Sequence, residues 1–120
     1  MRLSEELRGR TNAFASSIIG FYVNLPQERD EVRILGRQLL RSSTSVAAHA
    51  REASRARSDP EFCSKLDGLL QEADESQLWL ELLRDDCQIP GEVTNPLWTE
   101  ANELIAIFTS MVSKLRKSEI

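Results

Sequence analysis

The sequence predicts an all-α protein, an antiparallel up-down-up-down four-helix bundle. Three observations carry this expectation. Apolar residues recur at alternating steps of four and three in four separate stretches, the spacing of one helical face. No stretch alternates apolar and polar residues between hairpin turns, so no strand is expected. The breaks between the helical stretches are short, which favours antiparallel neighbours. With 120 residues, the chain is expected to form one domain, residues 1–120. A domain of that size buries roughly two thirds of its unfolded surface.

The first face is Leu7, Thr11, Phe14, Ile18, Phe21 and Leu25. Ser4 is placed to cap this helix. Glu5 and Glu6 follow in the first turn, where the helix dipole favours negative charge. Asn24-Leu25-Pro26 ends it, because a proline disfavours the helical conformation in the residue before it.

The second helix is expected from about Glu28 to Arg57. Its apolar residues are sparse: Val32, Leu35, Leu39, Leu40 and Val46, followed by alanines. A second track keeps the helical spacing but is small and polar: Gln38, Ser42, Ser45, His49, Glu52 and Ala56.

Ser58-Asp59-Pro60-Glu61 starts the third helix in one of two ways. Asp59 caps, and Pro60 takes the first helical position, where its missing N–H costs nothing. Alternatively Ser58 caps and Glu61 closes a capping box. The face is Phe62, Leu66, Leu69, Ala73, Ser76, Leu80 and Leu83, and the helix ends near Asp86. Gln88 to Val93 reads as a loop, marked by Pro90-Gly91. Asn95-Pro96 repeats the cap-plus-proline start. The fourth face is Leu97, Ala101, Leu104, Phe108, Met111 and Leu115. Lys114, Arg116 and Lys117 suit a helix C-terminus.

Composition removes several classes of function. No apolar run approaches the ~20 residues that span a bilayer. Met1 to Arg10 is polar and charged, without the apolar segment of a signal peptide. A cytoplasmic protein with no membrane contact is expected. Cys63 and Cys87 lie 24 positions apart. On one continuous helix that is about 36 Å, against the ~7 Å a disulfide tolerates, so both are expected to be reduced.

The one histidine is His49, and there is no Cys-x-x-Cys pair, so zinc has too few ligands. Glu72 and Glu75 are residue types of a di-iron bundle, but that site needs two Glu-x-x-His motifs. The residue three before His49 is Val46. No metal, cofactor or small-molecule substrate is expected.

Ser42, Ser45, His49 and Glu52 include the residue types of nucleophilic catalysis. A mid-helix serine, however, has its backbone N–H groups committed to the helix ladder and none left for an oxyanion. No catalytic residue is expected, and the protein is not expected to be an enzyme. The track instead reads as a solvent-facing stripe or as an interior hydrogen-bond network. Trp79 and Trp98 read as packing residues.

The net charge of -4 is unevenly placed. Residues 27–58 carry +3 and residues 59–86 carry -7. Arg29, Arg33, Arg37 and Arg41 recur every fourth residue, and Arg51 and Arg55 extend the ridge. As a solvated face it would pair with acids of a neighbouring helix or subunit, each exposed pair contributing ~0–1 kcal/mol. As a phosphate-binding ridge it would use the match of the arginine fork to phosphate oxygens. No aromatic residue interleaves with it, so base stacking is not expected. The acidic total argues against a surface that binds nucleic acid everywhere.

Arg41-Ser42, Ser45-Val46, His49, Glu52, Ser58 and Glu61-Phe62 form a further pattern. It continues through Lys65 to Glu72-Ala73-Asp74-Glu75 and to the run from Trp79 to Leu83. This pattern resembles the small bacterial four-helix-bundle family of the 23S rRNA intervening sequence proteins. Relatives of that family include the accessory variability proteins of diversity-generating retroelements. The layout matches over residues 10–117, with the specific part in 38–83. His49 stands where the family has Asn, which introduces a pH-sensitive group.

The resemblance implies a ring-shaped homo-oligomer, a pentameric barrel of bundles. It also implies association with RNA or a reverse transcriptase in some relatives, and no enzymatic activity. The expected function is a non-enzymatic homo-oligomeric scaffold or accessory protein. It would contact RNA, DNA or a nucleic-acid enzyme through the arginine ridge. The alternative is a protein-only interaction module, whose ridge meets the acidic third helix of the next subunit.

Overall fold

The computed structural model describes residues 3–118. Met1 and Arg2 of the charged N-terminal segment, and the last two positions of the expected domain, lie outside the described residues. Four helices form: α1 (Glu5–Val23), α2 (Asp30–Ser54), α3 (Asp59–Asp85) and α4 (Gly91–Ser118). There is no strand among the described residues.

Capping chemistry places the first and third starts. Ser4 Oγ accepts from the Leu7 N–H at 3.1 Å, so Ser4 caps α1 as its sequence predicts. At α3 it is Ser58 that caps, accepting from the Glu61 N–H at 3.1 Å, while Asp59 and Pro60 open the helix. The reciprocal half of the box shifts by one residue. Glu61 accepts from the Arg57 N–H at 3.4 Å rather than from Ser58.

Two boundaries differ from the sequence reading. α2 is shorter at both ends. The N–H groups of Arg55 and Ala56 turn back to the carbonyls of Glu52 and Ala53, a tight three-residue closure that stops the α ladder. Ala56 therefore leaves the helical track. α4 begins earlier than Asn95-Pro96, at Gly91, and Pro96 sits inside it. The proline that starts the helix is Pro90. Its carbonyl accepts from Val93 and Thr94 at 3.1 and 3.2 Å. Thr94 is buried and holds this first turn on the bundle. The side chain of Asn95 accepts from Arg84 of α3 at 3.0 Å instead of capping.

The apolar faces meet in one core. Phe14 and Ile18 of α1, Leu39 and Val46 of α2, Leu66 and Leu80 of α3, and Leu104 and Phe108 of α4 are all buried. Neighbouring helices run antiparallel, as the paired residues show. Ser42 meets Ser76, while His49, further along α2, meets Gly68, earlier on α3. Between α3 and α4, Gln77 bonds Asn102, and Glu81 bonds Trp98. Between α1 and α4, Arg10 bonds Glu100, while Phe21 and Val93 share a groove. At Gly36 of α2 the chain approaches closely, and an added Cβ would stand 2.8 Å from Leu25 of the connection and 3.3 Å from Tyr22 of α1. The result is a rod of 51 × 21 × 21 Å.

Candidate nucleic-acid interface

The polar track on α2 divides along its length. Ser42 is fully buried, with its Oγ 2.7 Å from Ser76 Oγ. Ser42 Oγ also reaches the Leu39 carbonyl at 3.2 Å, and Ser76 Oγ donates to the Glu72 carbonyl at 2.9 Å. At this end the track is an interior network joining α2 to α3. Ser45 and His49 are half-buried, and Glu52 is exposed. The His49 Nδ1 is buried without a hydrogen bond, and Glu52 Oε2 lies 3.7 Å away. That carboxylate instead meets Lys65 Nζ at 2.9 Å, and the Lys65 hydrogen bond holds it below the ordinary glutamate range. Of the other residues in the family pattern, Ser58 is a helix cap, Glu61 accepts from the Arg57 backbone, and Phe62 belongs to the core.

The six ridge arginines fall into two sets. Arg29 donates to the Cys87 carbonyl at 2.8 Å and to Glu31 at 2.9 Å, closing the loop between α3 and α4 onto α2. Arg33 donates to Asp30 at 2.6 Å. Arg41 crosses to α3, with Glu72 at 3.0 Å and Glu75 at 3.7 Å. Glu75 in turn hydrogen-bonds Glu72, which holds its carboxyl above the ordinary glutamate range despite Arg41. Arg37, Arg51 and Arg55 are exposed and form no ion pair among the described residues.

The sequence reading missed Arg8 of α1. A cleft of about 270 Å3 separates α1 from α2, lined by Arg8, Thr11 and Asn12 on one side and Ala47, Ala50, Arg51, Ser54 and Arg55 on the other. The Arg8 Nε is buried there without a hydrogen-bond partner. Arg8 and Asn12 are one turn apart, as Arg51 and Arg55 are, so both pairs carry the helical spacing. Only the antiparallel docking of α1 on α2 brings them together.

Cys63 and Cys87 are buried and form no disulfide among the described residues, and burial pushes the Cys87 thiol up. Trp98 is half-buried and donates to Glu81 at 2.9 Å, while Trp79 packs against the core. Among the described residues no cluster of His, Cys, Asp and Glu could hold a metal ion. No helix among them is long and apolar enough to cross a membrane.

Comparison with curated proteins gives no match. Among solved structures, this chain is similar to a protein of unknown function from the S23 ribosomal protein family of Bacteroides thetaiotaomicron VPI-5482. The two are 32% identical with a TM-score of 0.81, over 88% of this chain and 97% of that one. The sequence model of the 23S rRNA-intervening sequence protein family matches residues 6–110, which takes in all of α2 and α3 and most of α1 and α4. The chain therefore belongs to the 23S rRNA-intervening sequence protein family.

Proposed function

We propose that this protein is a non-enzymatic, cytoplasmic homo-oligomeric scaffold that contacts RNA through the basic face of α2. The observation that carries the reading is the set of exposed arginines, Arg37, Arg51 and Arg55, that no carboxylate neutralises among the described residues. Charges left unpaired on one face form a local positive field even on a chain of net charge -4. The ring-shaped pentamer, and the kinship with accessory proteins of diversity-generating retroelements, belong to this proposal. So does DNA or a nucleic-acid enzyme as the bound partner.

The test is light-scattering mass and filter retention of single-stranded RNA at low salt. Wild type should form one oligomer and retain RNA. Arg37→Ala with Arg51→Ala should weaken retention and flatten its salt dependence. Absence of retention at low salt would reject the RNA contact.

A second reading has its own support. Arg29, Arg33 and Arg41 already pair with this chain's own carboxylates, which favours a module that contacts protein only. Under it, neutralising the ridge lowers the oligomer mass and RNA changes nothing.

A further inference from the structure

We infer that the cleft between the N-terminal half of α1 and the C-terminal half of α2 is a phosphate-binding site, with Arg8, Arg51 and Arg55 as its cationic ligands. Seven described arginines lie at ion-pair distance from a carboxylate: Arg10, Arg29, Arg33, Arg41, Arg57, Arg84 and Arg116. Four have no carboxylate at that distance among the described residues: Arg8, Arg37, Arg51 and Arg55. Three of those four line this one cleft, and no acidic residue lines it. Guanidinium groups stay charged at any physiological pH. Three of them gathered without a counter-charge repel one another, and a bound anion removes that repulsion.

Arg8 supplies the second observation. Its Nε is buried and donates to nothing. Buried N–H donors are almost always paired, and an exception in a polar cleft points to an acceptor that occupies it. The rest of the lining fits an anion of modest size. Ala47 and Ala50 present only methyl groups and leave the floor open. Asn12 offers an amide donor. Thr11 and Ser54 have already turned their hydroxyl protons to the carbonyls of Arg8 and Ala50. At ~30 Å3 per water, the cleft holds a phosphate group with part of its hydration. It falls below the ~300–1,000 Å3 typical of sites that enclose whole organic ligands.

The C-terminal end of α2 contributes about half a negative charge, which three full positive charges outweigh. The planar arginine fork matches pairs of phosphate oxygens, so a phosphate suits this cleft better than a monovalent halide. The phosphate can come from a nucleic-acid backbone or from a free phosphate ester. The nucleic-acid source rests on the function proposed above, whereas the cleft itself does not.

The full chain is titrated with inorganic phosphate against chloride at matched ionic strength, reading the 31P linewidth and Tm. The same proteins are then assayed for single-stranded RNA retention across salt. Arg51→Gln with Arg55→Gln changes exposed positions and leaves the core intact. Arg37→Gln is the control outside the cleft, and Arg8→Lys keeps the charge but removes the fork.

Expected are a saturable phosphate response in wild type and Arg37→Gln, and its loss in the double variant. A weakened response is expected in Arg8→Lys. If RNA is the source, the double variant also lowers the salt slope by about 1.4, two single-strand contacts' worth. Phosphate binding without RNA retention supports the cleft, assigns it to a free phosphate ester, and rejects the RNA reading. A wild type that responds to phosphate no more than to chloride overturns the cleft, whatever RNA does. So does a double variant that responds like wild type.

Discussion

The imidazole of His49 occupies the space over Gly68, so closely that a Cβ at position 68 would stand 2.9 Å from Cε1 and 3.1 Å from Nε2. Gly68 lies in the interior of α3, where glycine costs about 1 kcal/mol relative to alanine. The close approach of α2 gives that glycine its reason. It also explains how an imidazole fits at this place in the bundle.

Gly68→Ala should therefore gain less than the about 1 kcal/mol that helix propensity alone would give, because the His49 ring must move aside. In a His49→Ala background the same change should stabilise. A urea-melt double-mutant cycle measures this, and simple additivity of the two changes would refute the contact.

Ser42 and Ser76 share one buried hydrogen bond at 2.7 Å, yet each hydroxyl also reaches a carbonyl of its own helix. Either serine to alanine should cost about 1 kcal/mol, since the remaining hydroxyl keeps a partner. The double alanine should cost little more than either single change. Two full, additive losses would mean the hydroxyls act independently.

Two glutamates facing α2–α3 contacts should respond to pH with opposite signs. Glu75 has its carboxyl held above the ordinary range by Glu72. The folded state therefore binds its proton more tightly, and this stability is present at acidic pH and lost as pH rises through the raised value. Glu75→Gln should exceed wild type in Tm at neutral pH, and the gap should close below about pH 4. Glu52 is held low by Lys65, so its contribution is present at neutral pH and lost on acidification. Glu52→Gln should be the less stable protein at neutral pH and converge with wild type in acid. Thermal melts from pH 3 to 8 decide it, and a variant that moves opposite to its stated sign contradicts that residue's assignment.

Pro96 lies past the first turn of α4, where a proline cannot donate to the carbonyl four residues back. Pro96→Ala should raise stability by about 2 kcal/mol, the interior penalty of proline less the entropy it removes from the unfolded chain. A lower urea midpoint would show that Pro96 instead makes a packing contact the helix needs.

The number of helices, their apolar faces and the Ser4 cap were legible in the sequence, because each depends on residues within one turn; at the third helix the sequence left Asp59 and Ser58 open, and the structure gives Ser58. Ser4 and Ser58 need only the N–H three positions on, and a face needs only its own spacing. The start of α4 was not legible. Asn95-Pro96 and Pro90-Gly91 are equally good local signals, and the choice fell to Thr94, whose burial against other helices holds the earlier turn.

The candidate site divides the same way. The arginine ridge could be read from its four-residue repeat. Which arginines were already engaged, at the Cys87 carbonyl, Asp30 and Glu72, could not, because two of those partners lie on other elements. Arg8 had no signal of its own. Local sequence determines which side chains share a helical face. Only the docking of α1 on α2 decided that Arg8, Arg51 and Arg55 would face one cleft with no acid among its lining residues.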